Sequence, residues 1–316
     1  MSSSTEVVQV DPESPGPDGI AQAAEALLAG RLVALPTETV YGLGAVMDDR
    51  AALARVFTAK GRPATDPLIL HVAGPEQIAE LVTELPPVAE LLADRFWPGP
   101  LTLVLPRSAA VPDEVVAGGR SVAVRLPSHP VASALLREVG RPVAAPSANR
   151  FGRISPTTAA HVAAELDGRI DMILDGGPTT LGLESTVVDL SGPVPRLLRP
   201  GGVTLEDLRS VLGTVQHVDR AVVDESDAAA APGQFLRHYA PSTPLVLVQG
   251  GPDLVADLIT GLRDAGVAVG TVDLPEAPDE AARELYAQLR VADAGDAELL
   301  LVRAHEPSGL GRAVND

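Results

Sequence analysis

The sequence predicts an α/β protein with two domains, a larger one built on a mixed sheet and a smaller one with a parallel sheet. Two observations lead to this prediction. Over the first 205 residues, short apolar segments typical of strands alternate with segments of helical periodicity, which favours a layered α/β fold. Between residues 245 and 302 the order is strand, helix, strand, helix, strand, which indicates a small Rossmann-like α/β domain.

Each element of the larger domain is assigned from its local pattern. A first helix over 18–29 stops at Gly30, and a second spans about 49–60. Ser155 followed by a first-turn proline predicts the N-cap of a third helix, which continues to Leu166. The predicted strands are 32–35, 68–72, 101–105, 121–126, 142–145 and 170–174, with a closing hairpin of 186–190 and 196–198.

The domain limits follow from composition. Residues 1–15 have neither a basic start nor an apolar core, so they are predicted to be a disordered leader and not a signal peptide. The larger domain then covers 16–212, and an acidic, alanine-rich stretch without periodicity makes 213–243 a linker. The smaller domain, 244–316, is expected to contain strands 245–248, 267–272 and 299–302 and helices at about 253–264 and 278–290.

Composition excludes several classes of protein. The chain has 316 residues, 46% of them hydrophobic, and no run of the roughly 18 apolar residues that a membrane span needs. It has no cysteine, which removes disulfides, thiolate zinc sites and cysteine nucleophiles. A soluble cytoplasmic protein is therefore expected. The net charge of −18 has the wrong sign for a protein whose main task is to bind nucleic acid.

Lys60 is the only lysine among 24 basic residues, which suggests a site that needs a compact point charge. Arg62 lies two residues further on, in a loop broken by glycine and proline, so the two cations can converge on a phosphate chain. The open alternative is that they complement the dipole at the end of the preceding helix, an effect worth about 0.3–1 kcal/mol.

Several strand-end loops carry polar side chains that are predicted to line one crevice. Thr37 and Thr39 follow the strand at 32–35, in the sequence PTETVYGLG. Arg125 lies in an apolar strand, on the face shared with Ser121 and Ala123, and so needs an anionic partner. The segments APSAN at 145–149, ESTVV at 184–188 and RPGG at 199–202 repeat the theme. Phosphate-loop, dinucleotide, nucleophile-elbow and HExxH motifs are absent from the sequence.

These segments resemble a known family. PTETVYGLG, KGRP, FWPGPLTLVL, SVAVRLPSHP, APSAN, SPTTAAHV, LDGG, ESTVVDL and LLRPG stand in order over about residues 20–205, an arrangement similar to the YrdC-like domain. RHYAP and the small C-terminal domain are similar to the long, two-domain form, the L-threonylcarbamoyladenylate synthases. The resemblance implies a YrdC-like twisted mixed sheet. It also implies a reaction in which L-threonine, bicarbonate and ATP give threonylcarbamoyl-AMP and pyrophosphate.

The resemblance further implies roles for individual residues. Lys60 and Arg62 would be catalytic, with Lys60 close to the ATP phosphates. L-Threonine would be bound by Thr39, His71, Arg125, the backbone of Ala145, and Ser185. ATP would be bound by Arg62, Asp66, Ser121, Ser147, Ser155, Arg199 and Tyr239. Further candidates are Tyr41, Asn149 and Arg237. The family usually has asparagine at position 66, so Asp66 is expected to face the ribose, a metal or Lys60 and not the phosphates.

No covalent nucleophile is needed, because catalysis requires positioning of two anions and stabilisation of charge on the phosphoryl oxygens. Mg²⁺ is expected to be held mainly by the ATP phosphates and not by protein side chains. Tyr239 and Arg237 are predicted to close over the site as a lid; deletion of 232–243 without loss of product yield or ATP affinity would refute it. The product would pass to a tRNA threonylcarbamoyl-transfer complex, with weak or absent direct tRNA binding.

Three alternatives remain open from the sequence. Carbamoyl transfer from carbamoyl phosphate uses YrdC-like domains in longer, cysteine-rich proteins, which the absence of cysteine opposes. Double-stranded RNA binding would need a basic surface that the net charge opposes. A serine hydrolase built on Ser147 and His71 lacks a nucleophile elbow and an obvious orienting acid.

Overall fold

The computed structural model describes residues 4–218 and 238–316, and within them a large mixed sheet and a small parallel sheet. The strands of the large sheet are β1 Glu6–Gln9, β2 Val33–Leu35, β3 Gly42–Val46, β4 Ile69–His71, β5 Leu101–Pro106, β6 Ser121–Arg125, β7 Val143–Ala144, β8 Met172–Asp175, β9 Thr186–Asp189, β10 Arg196–Arg199 and β11 Gln216–His217. Their spatial order is β1-β8-β2-β3-β7-β4-β6-β5-β9-β10-β11.

The helices of the larger domain are α1 Pro17–Leu28, α2 Arg50–Lys60, α3 Ile78–Leu81, α4 Pro87–Phe96, α5 Asp113–Val116, α6 Pro130–Val139, α7 Ala159–Leu166 and α8 Leu205–Leu212, with a 3₁₀ turn at Pro75–Gln77. The smaller domain has strands β12 Leu245–Val248, β13 Val269–Val272 and β14 Leu299–Arg303, and helices α9 Pro252–Asp264, α10 Pro278–Asp293 and α11 Gly311–Asn315. In the described residues no helix is both long enough and apolar enough to cross a lipid bilayer.

The predicted mixed sheet is confirmed, because parallel pairs such as β4 with β6 alternate with antiparallel pairs such as β5 with β6. The hairpin of β9 and β10 is antiparallel, as expected. The small sheet is wholly parallel, as expected. Its order is β12-β14-β13, so the third strand is central, whereas the second is central in the 3-2-1 order of a Rossmann half.

Four local predictions were wrong. The predicted leader contains β1, whose residues pair in parallel with β8 from Glu6↔Met172 to Gln9↔Asp175, so backbone hydrogen bonds order it despite its exposed side chains. The N-cap of α7 is Thr158 and not Ser155, because the Thr158 hydroxyl accepts the hydrogen bond from the His161 N–H. The last three residues of the segment PTETVYGLG begin a buried strand, β3, which continues to Val46. The predicted linker 213–243 contains β11, and 219–237 lie outside the described residues.

Side-chain alternation divides the core between the two faces of the large sheet. On one face, α1 and α6 pack over β2 and β8 through residues such as Leu27, Leu35 and Leu135. The opposite face packs against α2, α4, α5, α7 and α8. The rest of the first face, on β4, β6, β5, β9 and β10, carries a smaller apolar group: Ile69, Val104, Ala123, Val187 and Leu198. This part of the sheet leads into the candidate site.

The two domains share a hydrophobic core. Val40, Ile154 and Leu183 of the larger domain pack with residues of α10, β13 and β14. Gly182, with a φ of +77°, makes this approach possible, because a Cβ there would lie 2.6 Å from the Arg283 carbonyl oxygen. Helix α10 therefore rests directly on the loop that precedes β9, which is one wall of the site.

Candidate active site

Strand-end loops from six parts of the chain enclose one cavity in the larger domain. Its walls come from the residues after β2, the end of β4, the end of β6, the loop after β7, the residues before β9 and the end of β10, together with His238 and Tyr239. Of the predicted site residues it gathers Thr39, Arg62, His71, Arg125, Ala145, Ser147, Ser185, Arg199 and Tyr239. The predicted crevice therefore exists in the larger domain.

Arg125 is the central cation of the cavity and is almost fully buried. Its Nη1 donates to the Thr39 hydroxyl at 2.8 Å, and its Nε donates to the Gly99 carbonyl at 3.3 Å. Its Nη2 lies 2.8 Å from a carboxylate oxygen of Glu38. Its Nε and Nη1 therefore donate hydrogen bonds within the protein, and its Nη2 is held by the ion pair with Glu38.

Glu38 is the anionic partner that the sequence analysis required for Arg125 but did not identify. Burial raises the pKa of the Glu38 carboxyl, but attraction and hydrogen bonding from Arg125 outweigh it, so the net pKa is lowered. Its second oxygen accepts the Ser128 N–H at 3.2 Å. The sequence signal was available, since Glu38 is the acid between the two threonines of PTETVYGLG. Glu38 therefore fixes the orientation of Arg125.

His71 faces the same cavity as an uncharged imidazole. Burial, followed by repulsion from Arg125, lowers its pKa to about 3. Its Nδ1 has no hydrogen-bond partner among the described residues, so no acid orients the ring as a catalytic triad would require. Ser147 and His71 share the cavity, yet the arrangement is not that of a serine hydrolase.

We expect His71 to stay neutral throughout the ordinary pH range in the folded protein. Its folded-state pKa lies below the unfolded value of about 6.5, so the unfolded chain takes up a proton first. His71 therefore lowers the free energy of unfolding progressively as pH falls from about 6.5 toward 3. The ring-carbon NMR shift of His71 should stay constant between pH 5 and 8. A titration midpoint inside that interval would contradict the buried, neutral assignment.

Arg199 and Ser185 form the opposite wall. The Arg199 Nε donates to the Ser185 carbonyl and its Nη2 to the Ser185 hydroxyl, both at 2.9 Å. The Ser185 hydroxyl also lies 2.7 Å from the Thr102 hydroxyl. Glu184, a residue missed by the sequence analysis, places a carboxylate oxygen 3.9 Å from Arg199 and accepts the Ser155 hydroxyl at 2.6 Å. Ser155 is thus buried behind the cavity and supports Glu184.

Tyr239 closes the cavity over Arg199, whose Nη1 donates to the Tyr239 hydroxyl oxygen at 2.7 Å. Its backbone φ of +56° is unusual for a bulky residue, which indicates that surrounding contacts hold the side chain in place. Tyr239 thus lies against the cavity, the closing of a lid stays a prediction, and Arg237 lies outside the described residues.

The change Tyr239→Phe keeps the ring and removes the hydroxyl that binds Arg199. We expect about a 10- to 100-fold rise in the KM of the substrate that Arg199 binds, with little change in folding, because a hydrogen bond to a charged group contributes about 1.5–3 kcal/mol. Steady-state kinetics and a urea midpoint would measure both. An unchanged KM would show that this hydrogen bond does not support substrate binding.

Lys60 is placed differently from the prediction. Its side chain is buried, does not line the cavity, and donates to the carbonyl oxygens of Ser147 and Asn149. The Lys60 amino group thus holds the loop after β7. Burial, with a smaller contribution from Arg62, lowers the pKa of Lys60 to about 7. A neutral amine retains two N–H groups, which suffice for these two carbonyls.

Asp66 pairs with Arg62 and not with Lys60. The Arg62 Nη2 lies 2.9 Å from the Asp66 carboxylate, and its Nε donates to the Asp66 carbonyl at 3.2 Å. His238 approaches the same carboxylate to 3.7 Å, and burial lowers its pKa against the raising influence of Asp66. The aspartate therefore fixes Arg62 at the edge of the cavity.

Ser121 and Arg125 occupy the two ends of β6 on one face of the sheet. Register confirms the shared face, since Ala123 pairs with Val104 and Ile69 while Arg125 pairs with Thr102 and His71. Four residues of strand separate the two side chains by about 13 Å. Ser121 is thus outside the cavity proper, at the far end of the apolar strip that leads away from it.

Two further candidates have structural contacts. The Asn149 amide donates to the carbonyls of Arg150 and Arg153, which shapes the loop after β7. The Tyr41 hydroxyl donates to the Gly177 carbonyl at 2.6 Å, and burial raises its pKa.

Among residues 4–218 and 238–316, no group of three acidic, histidine or cysteine side chains could hold a metal ion.

The fold and the cavity define a two-domain enzyme that binds anionic substrates at the end of a mixed sheet. Residues 25–201 match the Sua5/YciO/YrdC family model, described as telomere recombination. Residues 203–316 match the Sua5 C-terminal model, described as threonylcarbamoyl-AMP synthase, C-terminal domain. The chain belongs to the Sua5/YciO/YrdC family, in its two-domain form.

Individual relatives agree with this assignment. The chain is 46% identical over 308 residues to the threonylcarbamoyl-AMP synthase of Pyrococcus abyssi, covering 92% of this chain and 90% of that protein. It is 42% identical over 313 residues to the enzyme of the same name from Bacillus subtilis, covering 93% and 90%. The crystal structure of P. abyssi Sua5 complexed with L-threonine matches with a TM-score of 0.93 at 44% identity, covering 98% of this chain and 95% of that one.

Proposed function

We propose that this enzyme makes L-threonylcarbamoyl-AMP from L-threonine, bicarbonate and ATP and releases pyrophosphate, as the first step of N6-threonylcarbamoyladenosine formation in tRNA. The observation that carries the proposal is the single cavity in which Arg125 faces Arg199 and Arg62. The similar enzymes named threonylcarbamoyl-AMP synthase support it. Two cationic walls allow two anionic substrates to be held side by side.

The Arg125 side of the cavity is assigned to L-threonine and its carbamate. The Arg125 guanidinium is assigned to the substrate carboxylate, and Thr39 is fixed beside it by a hydrogen bond. The Ala145 N–H already donates to the Ile69 carbonyl, so the contact from Ala145 uses its own carbonyl oxygen. Neutral His71 completes this half, and the Ser185 hydroxyl is assigned to the same substrate from the opposite wall. The P. abyssi structure, described as complexed with L-threonine, supports this substrate.

ATP is assigned to the Arg199 side and to the strip of sheet that ends at Ser121. Arg62, Ser147, Arg199 and Tyr239 line the cavity where the phosphates would lie. The separation of about 13 Å along β6 suits an extended nucleotide. Asp66 and Ser155 act indirectly in this proposal, through Arg62 and Glu184.

The chemistry then follows from electrostatics. A carbamate oxygen of N-carboxythreonine attacks the α-phosphorus, a new P–O bond forms, and the bond to the bridging oxygen of pyrophosphate breaks. Negative charge on the phosphoryl oxygens is stabilised by the fixed guanidiniums of Arg62 and Arg199, whose orientation is set before substrate binds. No side chain forms a covalent intermediate.

We also propose that Mg²⁺ accompanies ATP, neutralising charge between its phosphates when bound. The donor set fits a metal held mainly by the nucleotide, since Glu184 is the one carboxylate among the described residues that line the cavity. The tRNA-modifying partner complex, bicarbonate as the carbon source and a cytoplasmic location are further parts of the proposal. The net charge of −18 supports weak or absent direct tRNA binding.

Pyrophosphate release from ATP, measured with and without L-threonine and bicarbonate, tests the proposed function. We expect release that requires both co-substrates, together with a product whose mass is that of threonylcarbamoyl-AMP. The exposed-surface variant Arg137→Gln serves as a control with unchanged activity. Release that is indifferent to threonine would overturn the substrate assignment, and absence of release would refute the reaction.

A further inference from the structure

A second concave surface, here called the arginine pocket, lies between the two domains. Its volume is about 370 Å³, and its charged lining consists of Arg150, Arg153, Glu165, Arg169, Arg290 and Asp293. The first four come from the loop after β7 and from the end of α7 and the turn that follows it, whereas the last two come from α10. Four guanidiniums therefore meet two carboxylates in a protein that otherwise carries an excess of acids.

Both carboxylates of the arginine pocket are already engaged inside the protein. Glu165 lies 2.7 Å from the Arg290 guanidinium and accepts the Arg150 N–H at 2.8 Å. Asp293 accepts the backbone N–H groups of Ser242 and Thr243 at 2.9 and 2.8 Å. These contacts hold both carboxylates in place, and they still leave four guanidiniums against two carboxylates in the pocket.

The other three arginines keep their charge available. Arg150, Arg153 and Arg169 are exposed, and no carboxylate among the described residues pairs with their side chains. Guanidinium groups bind phosphate oxygens bidentately and are only weakly hydrated, so three of them around one concavity favour a phosphate-bearing anion. The uncharged part of the lining is aliphatic, formed by Ile154 and alanines, and offers no aromatic ring to a nucleobase.

We propose that the arginine pocket binds a compact inorganic polyphosphate of the size of pyrophosphate. A long RNA backbone fits less well, because it would need basic surface beyond the pocket in a chain of net charge −18. This site is separate from the cavity between Arg125 and Arg199. The inference goes beyond the proposed function and does not depend on it.

The arginine pocket is connected to the cavity through the loop that carries Arg150 and Arg153. Asn149 donates to the carbonyls of both arginines, and Lys60 donates to the carbonyls of Ser147 and Asn149. On the other side, the Ala240 N–H donates to the Gly152 carbonyl at 3.0 Å. An anion in the pocket would thus rest on the segment that positions Ser147 and Tyr239, so its binding is expected to alter catalysis without competing directly with ATP.

Equilibrium dialysis of radiolabelled pyrophosphate against the full chain tests the arginine pocket. The double variant Arg153→Gln/Arg169→Gln removes two exposed guanidiniums, and Arg120→Gln/Arg137→Gln is the matched control with the same charge change at distant exposed positions. We expect one class of pyrophosphate site to weaken at least tenfold in the first variant and to persist in the control. Unchanged binding in the first variant, or equal weakening in both, would overturn the proposal.

Two further arms separate the alternatives. Fluorescence anisotropy with tRNA is expected to show no difference between the two double variants; a selective loss of tRNA binding in Arg153→Gln/Arg169→Gln, with pyrophosphate unaffected, would assign the pocket to RNA and refute the proposal. In the variant Arg153→Gln/Arg169→Gln, pyrophosphate should still inhibit the reaction by competing with ATP. The part of its inhibition that is not competitive with ATP should be lost. If wild type releases no pyrophosphate from ATP, the proposed function is refuted. The dialysis experiment still tests the arginine pocket in that case, because it measures binding and not activity.

Discussion

Replacement of Arg125 by glutamine is expected to reduce threonine-dependent pyrophosphate release by at least about 100-fold, since a charge-assisted contact made in a buried cavity is lost. The same change leaves the buried Glu38 carboxylate without its cation. Breaking a buried pair from one side costs about 3–5 kcal/mol. Activity and the free energy of unfolding should therefore fall together, as measured by pyrophosphate release and urea denaturation.

The double variant Glu38→Gln/Arg125→Gln separates these two effects. With both charges removed, the free energy of unfolding should recover much of the loss, because no uncompensated charge remains buried. Activity should not recover, because the substrate carboxylate still lacks its guanidinium. Recovery of activity in the double variant would contradict the assignment of Arg125 to the substrate, and a stable single variant would contradict the buried ion pair.

Lys60→Met should lower activity by about 10- to 100-fold, because the loop after β7 loses two hydrogen bonds to a buried donor, each worth about 1–3 kcal/mol when its acceptors are left unsatisfied. The loss should be expressed mainly in the KM for ATP, since Ser147 is on that loop and lines the cavity. Steady-state kinetics on wild type and variant would measure it. A kcat effect with unchanged KM would instead return Lys60 to the reacting phosphates.

The pH dependence of stability provides a second test of Lys60. Burial lowers its pKa in the folded protein to about 7, from an ordinary lysine value of 10.5. The unfolded chain therefore binds more protons between these values, so Lys60 makes wild type gain stability as pH rises from about 7 toward 10. Relative to Lys60→Met, the urea midpoint of wild type should increase across that interval. A constant difference would show that the lysine remains charged when folded.

Local sequence patterns were sufficient for much of the fold. The limits of helices α1 and α2 and of strands β5 and β6 were predicted to within two residues. Helix-capping residues and hydrophobic periodicity mark these limits, because both reflect hydrogen bonding and burial among nearby residues. Strand β1 was missed because its side chains are mostly exposed. What orders it is the exposed edge of β8, a partner about 165 residues away that no local pattern reveals.

The same division holds for the site. Residue type and position after a strand predicted that Thr39, Arg125, Ser185 and Arg199 would line one crevice, and the structure confirms that they do. His71, which only the family resemblance implied, lines it too. The ion-pair partners of the arginines could not be predicted from residue type and position. The acid that pairs with Arg125 and the acid that pairs with Arg62 were each one of 42 in the chain, and only the packed geometry selects Glu38 and Asp66.

The sequence by itself thus determined the α/β class, the order of most elements, the strand-end residues of the cavity and the resemblance to a family. Tertiary structure alone decided which side chains are buried. Burial in turn determines whether a side chain is charged and which groups it can contact. It turned Lys60 from a candidate phosphate ligand into the support of a loop, and it made His71 a neutral group. The physical reason is that desolvation and pairing depend on neighbours from distant strands, whereas helix and strand patterns depend on nearby residues.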